Sequence, residues 1–280
     1  MTEATSADRS LSMKPLRSVD DFSSLWGEVD VLSLPVGDKD RYCVGFARSD
    51  YAVECALRLR YEVFNLELDE GLDSSTATGL DRDDYDAQMT HLILIELKGH
   101  TVVGTYRIQT AKQAEAGIGF YSSMEYDLSG MASRLDRALE SGRACLASEH
   151  RSMRAIIGLW QGIGTYMNLY DQHYLFGCCS LTTQDPDDGW RALKTIREKG
   201  YLDDSVYLSA LEAYGCGDAA RELDPEIGDA IPLPKLFRTY LHLGAKVISE
   251  PAIDRAFGTV DFLVIIDARD IKFSQLDIVK

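Results

Sequence analysis

The chain has no long hydrophobic run and few basic residues, and both absences exclude whole classes of protein. No apolar stretch approaches the roughly 20 residues that a helix needs to cross a bilayer. The first residues lack the basic-then-apolar order of a signal peptide. Lys and Arg number 29 against 45 Asp and Glu, and the resulting net charge of −16 argues against general nucleic-acid binding. We therefore expect a cytoplasmic protein that is soluble or at most peripheral at the inner membrane.

Motifs for metals, disulfides and nucleotides are also missing. The six cysteines have no C-x-x-C spacing, and the five histidines have no metal-ligand spacing. We interpret the cysteines as reduced core residues and expect no metal site. There is no P-loop and no G-x-G-x-x-G, so no tightly bound cofactor is expected.

The order of predicted elements indicates one α+β domain built on a mostly antiparallel sheet with interspersed helices. We expect an N-terminal extension over 1–40, partly disordered, a single domain over 41–270, and a tail over 271–280. A helical insertion is predicted at about 188–243. Hydrophobic patterns predict strands near 91–97, 102–109, 143–149, 173–181, 245–249 and 260–267, and helices from about 50, over 156–167, and near 188–199, 204–215 and 232–243.

Several charged residues lie at the edges of segments that have a core-like composition. Charges beside a core are costly unless they pair with one another or with a charged ligand. Such residues form either a structural ion network or an active site. They are Arg60, Asp83, Asp86, Arg107, Glu140 and Arg143.

Two of these local patterns suggest specific chemistry, each with a structural alternative. Glu140, beside a predicted strand, could act as a general base for an amine, or could only form an ion pair with Arg107 or Arg143. Arg151 and Arg154 precede a predicted helix, whose N-terminus suits a phosphate, although both could be ordinary surface arginines.

The ordered set of segments resembles a known family more specifically than any one segment does. Arg60-Tyr-Glu-Val-Phe64, Asp83-Asp-Tyr-Asp86, Val103-Gly-Thr-Tyr-Arg107 and Glu140-Ser-Gly-Arg143 resemble the acyl-homoserine-lactone synthases. Further segments are closer to the bacterial ornithine N-acyltransferases and N-acyl amino acid synthases, which are sometimes labelled hemolysin-like. They are Leu159-Trp-Gln-Gly162, Leu175-Phe-Gly-Cys-Cys-Ser180, Tyr240-Leu-His-Leu-Gly244, Glu250-Pro-Ala-Ile-Asp-Arg255 and Thr259-Val-Asp261.

This resemblance implies a GNAT-type fold, in which two neighbouring strands splay apart to form a cleft for the donor's pantetheine arm. Here those strands would be the ones at 143–149 and 173–181. The resemblance implies a further strand near 42–47. The junction Arg151-Ser-Met-Arg-Ala-Ile-Ile-Gly158 departs from the Q/R-x-x-G-x-G/A pattern of acyl-CoA users, which favours acyl carrier protein as the donor without excluding acyl-CoA.

The resemblance also implies direct attack of an acceptor amine on the donor thioester. Glu140 and Arg143 would be catalytic, and the acceptor would be held by Arg60, Asp83, Asp86 and Arg107. The donor thioester and its phosphopantetheine would meet Cys145, Leu146, Ala147, Arg151 and Arg154, with an oxyanion on the backbone N–H groups of 145–147. An acyl pocket is expected from Trp160, Met167, Phe176 and Phe237. A basic patch, with Arg151, Arg154, Lys194, Arg197 and Lys199 as candidates, would receive the acidic carrier protein.

The expected reaction moves a 3-hydroxy fatty acyl group to the α-amine of ornithine and gives lyso-ornithine lipid. Because the product is amphipathic, transient membrane contact is expected. One alternative is another acceptor, such as glycine or tyrosine, or a signal synthase of the acyl-homoserine-lactone type. Another is a non-catalytic module that binds acyl groups or carrier protein.

Overall fold

The fold is built on a nine-stranded mixed sheet, with helices against both faces. A computed structural model describes residues 29–33, 41–224 and 228–270. The strands are β1 (Val29–Ser33), β2 (Tyr42–Ala47), β3 (Thr90–Glu96), β4 (Thr101–Thr110), β5 (Ala138–Leu146), β6 (Tyr174–Leu181), β7 (Lys246–Val247), β8 (Ala252–Asp254) and β9 (Thr259–Asp267).

The helices begin where capping residues predict that they should. Ser49 caps α1, with its Oγ accepting a hydrogen bond from the Ala52 N–H at 3.2 Å, and Ser152 caps α4 in the same way. Asp185 and Pro186 begin α5. The α-helices are α1 (Asp50–Tyr61), α2 (Ala111–Ala116), α3 (Ala132–Leu135), α4 (Met153–Leu169), α5 (Pro186–Glu198) and α6 (Lys235–His242), and a π-helical turn, Glu62–Glu67, follows α1.

The sheet order β1-β2-β3-β4-β5-β6-β9-β7 places a parallel pair near its centre. Among the strands that the structure describes, β5 and β6 are the parallel neighbours, and they pair only from Ala138–Tyr174 to Glu140–Phe176. Just beyond, a Cβ on Gly177 would lie 2.0 Å from the Ser141 carbonyl oxygen, so the two backbones touch there before they separate. The strands then diverge and leave a gap in the sheet.

Two apolar layers cover the two faces of the sheet. Ala52 and Ala56 of α1 pack with Ile93 of β3 on one face. Leu159 and Ile163 of α4 pack with residues of β2, β3 and β4 on the other. Gly162 permits this contact, because a Cβ there would lie 2.7 Å from a Leu92 methyl group.

The fold differs from the sequence prediction at three places. β5 begins at Ala138, so Glu140 and Arg143 lie inside the strand and not at its start. Residues 204–215 are not helical; Leu208, Ala210 and Gly215 form single bridges to other segments, since packing against the sheet overrides their local pattern. β1 lies in the stretch assigned to the N-terminal extension and pairs with β2.

Some predictions concern residues that the structure does not describe. The N-terminal segments 1–28 and 34–40 and the predicted tail 271–280 lie outside the described residues. In the part of the chain that is described, no helix combines the length and apolarity needed to cross a membrane.

Candidate active site

Three arginines and three aspartates form a buried ion network on the α1 face of the sheet. Arg60 donates to Asp81 at 3.1 Å and to both carboxylate oxygens of Asp86 at 2.6 and 3.2 Å. Arg107 donates to Asp83 and, at 3.1 Å, to Asp86. These contacts join α1, the 81–86 segment and β4.

Arg143 of β5 completes this network by donating to Asp83 at 3.0 Å. Burial would raise the pKa of Asp83, but the opposing charges of Arg107 and Arg143 outweigh it and hold that pKa below its ordinary value. The pKa of Asp86 is also held below its ordinary value, because the charges of Arg60 and Arg107 outweigh the effect of burial. With three charges of each sign, the network neutralises itself.

The predicted acceptor-binding residues are therefore brought together, but they bind one another. Arg60 is fully buried and does not line the cleft described below, whereas Arg107 and Arg143 border it. This arrangement fits a structural ion network, which is one of the two alternatives that the sequence analysis gave for these residues. Binding of an acceptor by Arg60, Asp83, Asp86 or Arg107 stays a prediction.

Arg143 has an unusual backbone conformation at the point where β5 leaves β6. Its φ is +51°, in the left-handed region that non-glycine residues rarely adopt. The β4–β5 pairing is interrupted here by a bulge, since Thr105 opposes Cys145 while Arg107 opposes Gly142. The bulge turns the guanidinium over the Phe257 ring, 3.3 Å from its centroid.

A cleft of about 300 Å³ lies in the gap between β5 and β6. It is bordered by Ser141–Ala144 of β5 and by Phe176–Ser180 of β6. Side chains from both faces of the sheet reach it. The cleft thus occupies the site that the GNAT resemblance predicts for the donor arm.

One end of the cleft is apolar and aromatic. Trp160 of α4 stacks on Tyr240 of α6, with 5.6 Å between ring centroids, and the Tyr240 hydroxyl is bonded to that of Tyr106. Of the four residues predicted for an acyl pocket, Trp160, Phe176 and Phe237 line the cleft. Met167 does not line it and packs in the core between α4 and the sheet.

Glu140 lies between this apolar end and a loop that crosses the sheet. Its carboxylate accepts hydrogen bonds from Gln109 Nε2 at 2.6 Å, the Tyr121 N–H at 3.0 Å, and the N–H and hydroxyl of Ser122 at 2.7 and 2.6 Å. Four donors fill the acceptor capacity of a carboxylate. Glu140 thus fixes the 120–122 loop against the cleft, and its role as a base stays a prediction.

The other end of the cleft contains carboxylates that the sequence prediction did not single out. Asp254 and Asp261 line it, and Glu125 lies behind them. Ligand atoms of Glu125, Cys178 and Asp261 all lie within 4.8 Å of one another. Asp254 and Asp261 belong to segments quoted for the family resemblance, but nothing in their local pattern shows that β8 and β9 bring them together.

Mutual repulsion in a buried setting perturbs these acids. Burial, and then the charge of Asp254, raises the pKa of Asp261 to about 6. Burial, and then the charges of Asp261 and Asp254, raises the pKa of Glu125 well above its ordinary value. The carboxyl groups at this end of the cleft therefore keep their protons to higher pH than free carboxylic acids, because nearby positive charge does not offset burial and mutual repulsion.

The residues predicted for the donor thioester lie beyond the cleft. The N–H of Ala147 already donates to the Val103 carbonyl at 2.9 Å, so it is not free to bind an oxyanion. The part of β5 that lines the cleft is residues 140–144, which precede Cys145 and Leu146 in the strand. Burial raises the pKa of Cys145 to about 12, which makes its thiol unreactive.

The two arginines predicted for the donor phosphate lie before and within the first turn of α4. Arg151 donates to the Leu146 carbonyl at 3.1 Å and forms a two-pronged ion pair with Glu67. Arg154 is exposed on the first turn of the helix. Their role toward a phosphopantetheine stays a prediction.

Comparisons with known proteins agree with this geometry. The family described as "Acetyltransferase (GNAT) domain" matches residues 59–161. An L-ornithine N(alpha)-acyltransferase of Brucella abortus (strain 2308) is 33% identical over 237 residues, covering 80% of this chain and 83% of that protein. A protein of the same name from Rhizobium meliloti (strain 1021) is 31% identical over 231 residues, covering 79% and 78%.

A solved structure supports the fold. FeeM, an N-acyl amino acid synthase from uncultured soil microbes, aligns with a TM-score of 0.51 over 86% of this chain and 99% of its own, at 12% identity. The split sheet and its cleft, together with these matches, define a GNAT-fold acyltransferase. The chain belongs to the L-ornithine N(alpha)-acyltransferase family. The predicted fold class, family resemblance and enzyme class are thereby confirmed.

Proposed function

We propose that the protein transfers a 3-hydroxy fatty acyl group from the thioester of acyl carrier protein to the α-amine of ornithine, giving lyso-ornithine lipid. The observation that carries this proposal is the two-ended cleft between β5 and β6. Its aromatic end suits an acyl chain, and its carboxylate-rich end suits a cationic acceptor. The names of the relatives support ornithine as that acceptor.

In the reaction, the neutral α-amine attacks the thioester carbonyl. The C–N bond forms, the C–S bond breaks, and the pantetheine thiol leaves with a proton. Because β4–β5 pairing is interrupted at 143–144, backbone N–H groups of Gly142–Ala144 are the donors that we assign to the oxyanion. Holding amine and thioester together in the gap supplies much of the rate.

The amine must lose a proton, and Ser122 offers a route for it. The Ser122 side chain lines the cleft and donates its hydroxyl proton to Glu140 at 2.6 Å. In this scheme the serine oxygen accepts the amine proton while its own proton passes to Glu140. Glu140 thus acts through Ser122, because four hydrogen-bond donors already surround its carboxylate and one of them is the Ser122 hydroxyl.

The carboxylate of the amino acid needs a cation at the cleft. Arg143 borders both the cleft and the adjoining cavity that Asp83, Tyr214 and Arg255 line. Its side chain is mostly buried and holds a single short contact to Asp83. We assign the α-carboxylate to Arg143, in keeping with its predicted place in the site.

The test uses purified protein, acyl carrier protein charged with a 3-hydroxy fatty acyl group, and a mixture of all amino acids, with products identified by mass spectrometry. N-acyl-ornithine is the expected product, and a parallel reaction with acyl-CoA identifies the preferred donor. An N-acyl derivative of another amino acid would refute the ornithine assignment. Absence of any acyl transfer from either donor would refute catalysis.

A further inference from the structure

The buried carboxylates at the acidic end of the cleft are only partly offset by positive charge from the described residues. Asp261 is 4% exposed, lines the cleft, and its Oδ1 has no hydrogen-bond partner among the described residues. The Oγ1 atom of Thr259, on the same strand and also lining the cleft, is likewise unpartnered there. Buried polar atoms without a partner are rare and point to a missing ligand.

The neighbouring groups only partly offset the charge of Asp261, because the nearby Ser180, Thr259 and Arg143 side chains lower its pKa less than burial and the charge of Asp254 raise it. Asp254 is already fixed, since it accepts hydrogen bonds from the Tyr121 hydroxyl at 3.0 Å and from the N–H groups of Ala256 and Phe257 at 2.9 and 3.0 Å. Glu125 has only a long contact, at 3.8 Å, from the Cys178 thiol. Arg143, whose charge lowers the pKa of Asp261, is also paired with Asp83 at 3.0 Å.

The chemistry of this cluster matches an alkylammonium group. An ammonium carries three N–H donors and no acceptor, and Asp261, Glu125 and Thr259 offer three acceptors. The same three residues, Glu125, Cys178 and Asp261, also have ligand atoms close enough for a metal ion, so the test below includes metal removal. Asp83 and Asp86, which the family resemblance placed among the acceptor-binding residues, already have arginine partners.

We propose that Asp261 and Glu125 bind the side-chain ammonium of the acceptor, and that this contact selects ornithine over neutral amino acids. The inference rests on the proposed function. It makes Asp261 and Glu125 specificity-determining residues. The α-amine would then lie at the β5–β6 gap, three methylenes away from the buried cluster.

The test compares ornithine with norvaline, which has the same carbon skeleton without the side-chain amine. We expect Asp261→Asn and Glu125→Gln to lower kcat/KM for ornithine by about 10- to 100-fold, mainly through KM, since each removes a charged hydrogen-bond acceptor. The loss for norvaline should be smaller, so the ratio of kcat/KM for ornithine to kcat/KM for norvaline should fall in both variants. Asp203→Asn, at a carboxylate that does not line the cleft, is the matched control and should behave as wild type.

Calorimetric titration of ornithine into the donor-free protein gives a second measurement that does not depend on turnover. An unchanged ornithine-to-norvaline ratio and unchanged ornithine binding in both variants would overturn the inference while leaving the proposed function intact. An ornithine preference that a chelator abolishes and Zn²⁺ restores would also overturn it, because a metal would then occupy the cluster. If wild-type protein makes N-acyl derivatives of other amino acids only, both proposals fall.

Discussion

Replacing Asp261 by Asn should stabilise the protein at neutral pH. The folded-state pKa of Asp261 is raised from 3.8 to about 6 by burial and by the charge of Asp254. The folded protein therefore binds more protons than the unfolded chain between these values, and its free energy of unfolding falls as pH rises through this window. At about 1.4 kcal/mol per pKa unit, the ionised side chain lowers that free energy by about 3 kcal/mol at pH 8.

The difference between variant and wild type should grow with pH in a defined way. Because Asn cannot ionise, the variant does not lose stability as pH rises through this window. At pH 5 the difference in free energy of unfolding between variant and wild type should be about half of its value at pH 8. Urea unfolding followed by circular dichroism at pH 5, 6 and 8 measures it. A change in stability between Asp261→Asn and wild type that is independent of pH would refute the reasoning, whatever its absolute size.

Asp83→Asn is the matched comparison, because this substitution is expected to lower the free energy of unfolding where Asp261→Asn raises it. The pKa of Asp83 is held below its ordinary value despite burial, so its stabilisation is present at pH 5 to 8 and is lost only in stronger acid. Removing this charge leaves Arg107 and Arg143 incompletely paired. We expect a loss of about 3–5 kcal/mol in the free energy of unfolding, nearly constant from pH 5 to 8. The Asn side chain can still cap the 84–87 turn, so the loss reports the charge.

Three further predictions concern the cleft. Gly177→Ala should lower the free energy of unfolding by about 1–3 kcal/mol in urea titrations, because its Cβ would meet the Ser141 carbonyl, whereas Gly142→Ala, with open space around the Cβ, should not. Ser122→Ala should lower kcat by about 10²-fold with little change in KM for ornithine, measured by steady-state kinetics, since it removes the proton relay to Glu140. Iodoacetamide at pH 8 should leave activity intact, because burial raises the pKa of Cys178 and Cys179, which line the cleft, as well as that of Cys145.

Each of these has an outcome that would contradict it. Equal stability of the two glycine variants would mean that the β5–β6 contact does not hold the strands at their point of separation. A Ser122→Ala enzyme with normal kcat would show that the amine proton leaves by another path. Inactivation by iodoacetamide, matched to alkylated Cys145 by peptide mapping, would show that this strand is open to solvent.

The fold could be predicted well from local patterns, with errors where packing overrides them. The Ser49 cap and the alternating or apolar strands from Tyr42 to Asp267 are local features, and they place most elements correctly. The start of β5 was misplaced because Glu140 and Arg143 look like residues at a strand end. Their charges are tolerated inside the sheet only through partners on distant segments.

The sequence indicated most of the residues of the charged cluster but not which of them bind one another. The sequence indicated that six charged residues would gather in one polar cluster, and five of them do. The sixth, Glu140, instead accepts hydrogen bonds from Gln109, Tyr121 and Ser122. The sequence could not show that the charges in the cluster neutralise one another. That result depends on contacts between residues 21 to 60 positions apart along the chain.

The sequence by itself determined the fold class, the family and the set of charged residues, because these depend on local patterns and on ordered motifs. Which carboxylates line the cleft depends on the tertiary structure. Asp254 and Asp261 meet because β8 pairs with β9, and Glu125 reaches them from a separate loop. The pKa of a buried carboxyl group is lowered beside an arginine and raised beside another carboxylate. The pairing of the strands determines which of these neighbours each carboxyl group has.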